Sequence, residues 1–396
     1  MKKIMILGAS ILQLPAIIKA KEMGFYVIAV DMNENAVGFR YADKPMIIST
    51  IDIPAVLKAA KENGIDGIVT LASDMPMRTV AAVAKDMGLI GVDEATALKT
   101  TDKAAMRACL RENEIPIPKF YETHNYDEYK KAAADFPLEY IVKPADSSGS
   151  RGIFLVNNPG DEVSAKQAYE YSKSFSKSSC VMVEEFMRGD EVSVETLSID
   201  GICHVIQITD KCTTGAPYFV ETGHSQPTRH DTETAKRISE IAALTVNVVG
   251  IKNGPAHTEL MVTKDGVKVV EIGARLGGDC ITTHLTPLST GVDMVEACIN
   301  IAMGERPNVD KKYEKGSAIR FFSQKSGILK SVSGVTEAKK IEGVIQINMN
   351  KEIGENVSEV RSSAERVGFV IAQADTAKKA VESCKRACEI VEIETV

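Results

Sequence analysis

Residues 257–275 read HTELMVTKDGVKVVEIGAR, and this stretch decides the fold of the region around it. Two runs of strand-forming residues flank residues 264–266 (KDG). The pattern predicts an antiparallel hairpin with a three-residue loop and Gly266 at positive φ. In that register Thr263 faces Val267.

Counting back from this loop places Glu259 directly opposite Glu271, so two carboxylates share one face of the sheet. Because like charges in such a pair destabilise it, the arrangement predicts a cation between them. Hard oxygen ligands suit Mg²⁺, with Mn²⁺ as a substitute. Side-chain alternation puts Arg275 on the same face, near any anion that the metal holds. The alternative is a solvent-exposed strand face on which two glutamates meet by chance.

The first 100 residues alternate short apolar strands with amphipathic helices, beginning with IMILG at 4–8. This pattern predicts a doubly wound parallel α/β domain. Asp31 stands where a dinucleotide-binding fold places its ribose-binding acid. The turn at residues 8–13 (GASILQ) lacks the second and third glycines that a pyrophosphate requires, which argues against an oxidoreductase.

The pattern changes after this domain. A helix is predicted from Thr100 to about Asn113, followed by strands and hairpins with one helix near 164–178. Residues 186–316 predict mixed strands and helices. The last part, 317–396, predicts a small α+β unit ending in an amphipathic helix.

Composition excludes several classes of protein. A formal net charge of −7 without a basic stripe argues against nucleic-acid binding. No stretch is long and apolar enough for a membrane span. The eight cysteines form no CxxC pair and are interpreted as the reduced thiols of a cytoplasmic protein. A homodimer is the default oligomeric state.

Two further elements suit phosphate binding. Lys143 ends a strand that runs into a loop of small residues, whose backbone N–H groups can surround phosphates. The loop residues concerned are Ser147, Ser148, Gly149, Ser150 and Gly152. Lys103 lies in the first turn of a helix, where the dipole disfavours a cation unless an anion is near. The alternative for the loop is a flexible hairpin tip.

An apolar strand ends in Glu184, Glu185 and Phe186, and Glu191 follows on the next strand. Acids at such a strand end can accept hydrogen bonds from an adenine amino group or from ribose hydroxyls. An ordinary polar hairpin is the alternative.

In this order the elements resemble the ATP-grasp superfamily over roughly residues 1–316. The resemblance implies ATP between two lobes, with lysines on the phosphates and Mg²⁺ on the two opposed glutamates. The residues and roles implied are Lys103 and Lys143 at the phosphates, Glu184 to Phe186 at adenine, Glu191 at ribose, Glu259 and Glu271 at the metal, and Arg275 at the transferring phosphoryl group. One position departs from the pattern, because Gly273 stands where many members have Asn. A second metal ion is therefore expected to have fewer protein ligands or more water.

Residues 208–211 (ITDK), followed by the stretch from Pro217 to Pro227, resemble the amino-acid ligases within this superfamily. The resemblance implies that Lys211 assists at the phosphates, and that Glu221 and His224 face the acceptor amine or the amino group of the donor. A structural loop histidine is the alternative for His224.

The resemblance implies an ADP-forming ligase that joins a small carboxylate to an amine through an acyl phosphate. The expected domains are a pre-ATP-grasp domain (1–100), an ATP-grasp domain (101–316) and a small C-terminal domain (317–396). Within the second, the nucleotide lid covers about 115–185 and the catalytic lobe 186–316. The alternatives are an ATP-grasp carboxylase that activates bicarbonate, favoured by the small C-terminal domain, and a nucleotide-binding regulator without turnover.

Overall fold

The structure, a computed structural model, describes residues 1–147, 149, 151–216 and 218–396. Ser148 and Ser150 of the predicted phosphate loop lie outside the described residues, as does Pro217 of the predicted acceptor segment.

The N-terminal region is the predicted parallel α/β sheet, with strand order β3-β2-β1-β4. Its elements are β1 (Lys3–Leu7), α1 (Leu14–Glu22), β2 (Tyr26–Asp31), β3 (Lys44–Ile47), α2 (Ile53–Asn63), β4 (Gly67–Val69) and α3 (Pro76–Met87), with a 3₁₀ turn at Val37–Arg40. Buried strand residues such as Met5 and Ile28 belong to one apolar cluster with Val194 and Ile272 of the central sheet. This shared core fixes the first region against the rest of the chain.

Two helices lead into a four-stranded antiparallel sheet with order β5-β8-β6-β7. The elements are α4 (Glu94–Lys99), α5 (Lys103–Glu112), β5 (Phe120–Thr123), α6 (Tyr126–Ala133), β6 (Tyr140–Pro144), β7 (Phe154–Val156), α7 (Glu162–Ser174) and β8 (Val181–Glu185). The prediction of a single helix here was wrong, because α6 is present as well. That helix is short and polar, and its Asn125 N-cap was the available signal.

One antiparallel sheet of eight strands, in the order β13-β12-β9-β10-β11-β14-β18-β16, forms the centre of the molecule. Its strands are β9 (Gly189–Ile199), β10 (Ile202–Thr213), β11 (Glu221–Gln226), β12 (Gly254–Thr263), β13 (Gly266–Gly273), β14 (Gly316–Phe321), β16 (Val344–Met349) and β18 (Gly368–Ala374). The sheet therefore continues past residue 316, where a domain boundary is predicted.

The remaining elements pack around this sheet. They are α8 (Thr232–Val249), a π-helical turn (Ile281–Leu285), α9 (Thr286–Thr290), α10 (Met294–Ala302), β15 (Gly327–Ser333), α11 (Val335–Ala338), β17 (Asn356–Val357), a 3₁₀ turn (Ser363–Glu365), α12 (Ala377–Ile390) and β19 (Glu392–Thr395). The predicted C-terminal amphipathic helix is confirmed as α12.

The hairpin of β12 and β13 has the predicted pairing of its two glutamates but not the predicted loop. Thr263 pairs with Gly266, so the loop has two residues and the predicted pairing with Val267 was wrong. Gly266 has the predicted positive φ, at +116°. A bulge then leaves Val270 without a partner and shifts the register by one residue. Glu259 consequently does lie opposite Glu271.

All eight cysteines are free thiols. No helix among the described residues has both the length and the apolar character needed to cross a membrane.

Gly316, at the start of β14, tests how tightly the last strands of the central sheet pack. A methyl group at this position would lie 1.9–2.2 Å from backbone atoms of Thr376 and Ala377. We expect Gly316→Ala to lower the free energy of unfolding by about 1–3 kcal/mol, the usual cost of overpacking. Urea denaturation measures this change.

Gly160→Ala is the matched control, because a methyl group there meets only Asn158 Oδ1, at 3.4 Å. A stable Gly316→Ala protein would contradict the packing described here.

Candidate active site

A fully buried arginine connects three elements that the sequence places in the site. Arg107 on α5 donates from Nε and Nη2 to the two carboxylate oxygens of Glu184, both at 2.9 Å. It also donates to the carbonyl oxygens of Val269, at 3.4 Å, and Val270, at 2.9 Å. Lys143 Nζ lies 2.8 Å from the same Glu184 carboxylate. The strand end, the predicted phosphate lysine and the bulge of β13 are thus held together.

Charge pairing decides the protonation states in this buried group. Burial by itself raises the pKa of Glu184, but Arg107 and then Lys143 outweigh it and lower the pKa to about 2. Burial lowers the pKa of Lys143, and Arg107 and Lys103 lower it further against the pull of Glu184. Glu184 is therefore a carboxylate that holds two cations.

Each glutamate of the predicted metal pair contacts a predicted phosphate lysine. Lys103 Nζ donates to Glu271 at 2.7 Å and to the carbonyl of Ser147 at 2.7 Å. Lys211 Nζ lies 3.4 Å from Glu259. Burial opposes a charge on Lys103, but Glu271 raises its pKa above the ordinary value. Lysines and glutamates thus neutralise one another.

Lys211 is surrounded by three carboxylates. Besides Glu259, Glu191 accepts a hydrogen bond from its Nζ at 2.7 Å, and Glu221 lies at 3.5 Å. Burial lowers the pKa of Lys211, yet these acids raise it well above the ordinary value. The predicted ribose acid and the predicted substrate acid therefore meet at one lysine.

His257 supports the metal pair from the same strand face as Glu259. Its Nδ1 lies 2.6 Å from Glu195 and its Nε2 3.3 Å from Glu259. Burial lowers the pKa of His257, but Glu195 foremost, with Glu259, raises it to about 9. A protonated His257 donates to both carboxylates and fixes the orientation of Glu259.

Arg275 is held by an acid from the N-terminal region. Its Nε donates to Asp74 Oδ1 at 2.7 Å, and its Nη1 donates to the carbonyl of Leu276 at 3.1 Å. Burial opposes its charge, but Asp74 foremost, with Glu259 and Glu271, raises the pKa of Arg275 further. The predicted phosphoryl-binding arginine thus lies beside both metal-pair glutamates.

The predicted substrate residues contact the last part of the chain. Arg366 donates to Asp279 in a two-bond pair, with Nη1 to Oδ2 at 2.8 Å. The same carboxylate lies 3.2 Å from His224 Nε2. Ser363 Oγ donates to Glu221 at 3.2 Å. His224 Nδ1 is buried and has no hydrogen-bond partner among the described residues.

The structure thus brings together most of the predicted site. The residues joined by direct contacts are Lys103, Lys143, Ser147, Glu184, Glu191, Lys211, Glu221, Glu259 and Glu271, with Arg275 nearby. The Glu185 carboxylate is not among these contacts and accepts a hydrogen bond from Lys268 Nζ, at 3.0 Å. Phe186 packs near Phe219, with ring centroids 6.0 Å apart. Gly149 and Gly152 both have positive φ. The nucleotide and metal roles of these residues remain predictions.

Six residues of the site were missed in the sequence: Asp74, Arg107, Glu195, His257, Asp279 and Arg366. Two of them carry a local signal. Arg107 lies one turn after Lys103, on a helix face that also buries Met106 and Leu110. His257 lies two residues before Glu259 and so on its strand face. Glu195 and Asp279 each lie four residues after a predicted site residue, Glu191 and Arg275. Asp74 and Arg366 contact the site from distant parts of the chain.

The donor set fits a divalent cation with a polyphosphate. Glu259 and Glu271 offer hard oxygen ligands from adjacent strands, as Mg²⁺ prefers. Their present partners are Lys103 and Lys211, whose positive charges a metal ion can replace. Among the described residues these carboxylates do not belong to any group of three or more potential ligands whose ligand atoms all lie within 4.8 Å of one another. To share one ion, Glu259 and Glu271 would have to leave their lysine partners.

Comparison with known families agrees with this arrangement. Residues 136–283 match the ATP-grasp domain. Residues 320–396 match the L-amino acid ligase C-terminal domain 2. The second match covers the part of the chain from which Ser363 and Arg366 contact the site.

Relatives and solved structures also include L-amino acid ligases. The L-arginine-specific L-amino acid ligase of Bacillus subtilis is 23% identical over 333 residues, covering 82% of this chain and 80% of that protein. Formate-dependent phosphoribosylglycinamide formyltransferase of Ignicoccus hospitalis is 25% identical over 414 residues, covering 99% and 96%. The structure of an L-amino acid ligase from Bacillus licheniformis superposes with a TM-score of 0.84 at 22% identity, covering 100% and 99%. The predicted ATP-grasp fold is confirmed.

Glu184 and its neighbour Glu185 provide a matched test of the buried network. Glu184→Gln leaves Arg107 and Lys143 without their countercharge, and we expect the free energy of unfolding to fall by about 3–5 kcal/mol at pH 7. Glu185→Gln removes a partly exposed pair with Lys268 and keeps an oxygen that can accept from the N–H of Lys119, with an expected loss of at most about 1 kcal/mol. Urea denaturation measures both.

The same pair predicts a difference in acid. The Glu184 pKa is lowered from 4.5 to about 2, so its contribution to stability is present above 4.5 and lost as the pH falls towards 2. Glu184→Gln should lack this part of the acid destabilisation. Equal stability of the two variants at pH 7 would contradict the network.

Proposed function

We propose that this chain, an ATP-grasp enzyme of the ADP-forming carboxylate–amine ligase class, joins the carboxylate of an amino acid to an amine through an acyl phosphate. The observation that carries the proposal is the contact of Ser363 and Arg366 with Glu221 and Asp279. Ser363 and Arg366 lie within the region matched to the L-amino acid ligase C-terminal domain. The proposed substrate side of the site thus includes residues from the region matched to that domain.

Nucleotide binding is assigned to the space between two sheets. One is the four-stranded sheet β5-β8-β6-β7, called the lid sheet below, and the other is the central eight-stranded sheet. Lys103, Lys143 and Lys211 would contact the phosphates, and the loop from Ser147 to Gly152 would close over them. The backbone of Glu185 and Phe186 would hold the adenine, because the Glu184 carboxylate is committed to Arg107. Glu191 would accept from the ribose after Lys211 turns to phosphate.

Glu259 and Glu271 would hold Mg²⁺, or Mn²⁺ as a substitute. When bound, the ion supplies neutralisation of phosphate charge and orientation of the transferring group. His257 keeps Glu259 in place through its Nε2 contact at 3.3 Å. Arg275 would stabilise the charge that develops on the transferring phosphoryl group.

The chemistry proceeds in two balanced steps. A carboxylate oxygen of the acid attacks the γ-phosphorus of ATP, the bond to the bridging oxygen breaks, and ADP leaves. The nitrogen of the amine then attacks the acyl carbon, the carbon–oxygen bond to phosphate breaks, and the nitrogen loses a proton. Glu221 or His224 would accept this proton as general base. Closing of the loop around Gly149 would keep water from the acyl phosphate.

The choice of an amine over bicarbonate rests on the C-terminal region. A small C-terminal domain is also expected of a biotin-carboxylase-like enzyme. Here that region matches the L-amino acid ligase domain instead, which favours an amine acceptor. The identity of the acid and the amine is a matter for a substrate screen, because relatives of similar identity include both an amino-acid ligase and a formyltransferase.

A screen for ADP release over pairs of amino acids tests the proposal. ATP and Mg²⁺ are supplied throughout, with each acid alone and bicarbonate alone as separate arms. We expect ADP to form over many turnovers only when an acid and an amine are both present. An acid alone should give at most one equivalent of ADP per enzyme, because the acyl phosphate is protected until the amine attacks. Release with bicarbonate alone would favour a carboxylase, and tight ATP binding with no release in any arm would favour a regulator.

Glu271→Ala removes a proposed metal ligand and the partner of Lys103. We expect it to abolish ADP formation with every substrate pair that is active in the unaltered protein. Glu305→Ala, which removes only an exposed pair with Lys2, serves as the control and should keep full activity. Near-normal turnover of Glu271→Ala would refute the assignment of the site.

A further inference from the structure

Asp74 lies outside the sequence motifs of the site but contacts Arg275, one of the predicted site residues. It belongs to the connection between β4 and α3 in the N-terminal region. Its carboxylate accepts from Arg275 Nε at 2.7 Å, and both side chains are only 17% exposed. The structure therefore places a third acid against Arg275, whose pKa both glutamates of the proposed metal pair also raise.

The position of this acid is well determined by its surroundings. The N–H of Leu276 donates to the carbonyl of Leu71 at 3.0 Å, which ties the Asp74 connection to the end of β13. Gln13, which is buried, donates to the neighbouring Ser73 at 2.8 Å. Helix α3 begins two residues later, at Pro76. Asp74 is thus presented by a connection fixed on both sides.

Asp74 also fills the space beside Gly273. A methyl group built on Gly273 would lie 3.0 Å from Asp74 Oδ1 and 3.1 Å from Arg275 Nε. Gly273 follows Glu271 by two residues, on the same strand face. The place in which a side chain at 273 would begin is therefore occupied by a carboxylate oxygen from another part of the chain.

Asp74 resembles the two metal-pair glutamates in being paired with a cation. Glu271 contacts Lys103 at 2.7 Å, and Glu259 lies 3.4 Å from Lys211. Asp74 contacts Arg275, another cation proposed to act on the phosphates. Each of these three acids is thus paired with a cation that nucleotide would draw away.

We propose that Asp74 is a third carboxylate ligand of the divalent cation, and that it replaces the side chain that Gly273 lacks. This inference rests on the proposed function, because it requires nucleotide and metal to bind at this site. The phosphates of the nucleotide take Arg275, and the freed Asp74 carboxylate turns to the ion together with Glu259 or Glu271. Hard oxygen ligands of this kind, completed by water and phosphate, suit Mg²⁺ and Mn²⁺.

Binding of Mn²⁺ measured without turnover tests this assignment. Electron paramagnetic resonance follows free Mn²⁺ as the full chain is titrated in the presence of a non-hydrolysable ATP analogue, with no acid or amine. We expect Asp74→Ala to weaken Mn²⁺ binding by about 10-fold or more, since even outer partners of metal ligands commonly cost that much. Asp86→Ala, in the same region and paired with Lys61 on the surface, should bind like the unaltered protein.

Two further variants separate a ligand from a residue that only positions Arg275. Asp74→Asn keeps an oxygen that accepts from Arg275 but loses the negative charge, so its Mn²⁺ affinity should fall between those of the unaltered protein and Asp74→Ala. Adding Gly273→Asn to Asp74→Ala supplies an amide oxygen from position 273, where the removed carboxylate leaves room. This double variant should recover Mn²⁺ affinity relative to Asp74→Ala.

The outcomes are distinguishable. If Asp74→Ala binds Mn²⁺ like the unaltered protein while Glu271→Ala does not, the inference is overturned and the proposed function stands. If the unaltered protein binds no Mn²⁺ with the nucleotide analogue, the proposed function fails and the inference with it. Weakened binding of Asp74→Ala that the double variant does not improve would assign Asp74 to the positioning of Arg275 alone and also overturn the inference.

Discussion

Arg107 imposes the constraint on which the rest of the site depends. A charge without exposed surface is strongly destabilising unless it is fully paired, so the chain must provide acceptors on every side of this guanidinium. Glu184 supplies two of them at 2.9 Å, and the carbonyls of Val269 and Val270 supply others. These acceptors belong to β8 of the lid sheet and β13 of the central sheet. One side chain therefore fixes the lid, the hairpin and helix α5 relative to one another.

The bulge in β13 lies at the same contact. Val270 is the residue without a strand partner, and its carbonyl accepts a hydrogen bond from Arg107 Nη2 at 2.9 Å. A one-residue shift in register turns every following side chain to the opposite face of the sheet. Without the bulge, Val270 would face Glu259, and Glu271 would point away from Lys103. The bulge that sets Glu271 against Glu259 is thus held by an arginine 164 positions before Glu271 in the chain.

Sequence patterns predicted the elements whose causes are local. The parallel N-terminal sheet, the hairpin around Gly266 and helix α12 all follow from periodicity and turn residues. The pairing of Glu259 with Glu271 was also right, although it combined a loop that is one residue too long with an unrecognised bulge. Two errors of one residue cancelled. The roles of Asp74 and Arg366 had no local cause, because each becomes meaningful only when distant elements pack together.

The distribution of charge explains how such a site can be buried before its ligands arrive. Asp74, Glu259 and Glu271 each lie beside a cation, so no acid is left uncompensated. A polyphosphate with a divalent ion brings both signs of charge. The cations of the site can then pair with phosphate and the acids with the ion, so no buried charge is left unpaired. Lys143 has no acid of its own, since Glu184 is shared with Arg107. Lys143 can turn to phosphate while Arg107 keeps Glu184 neutralised, which gives a physical reason for two cations on one carboxylate.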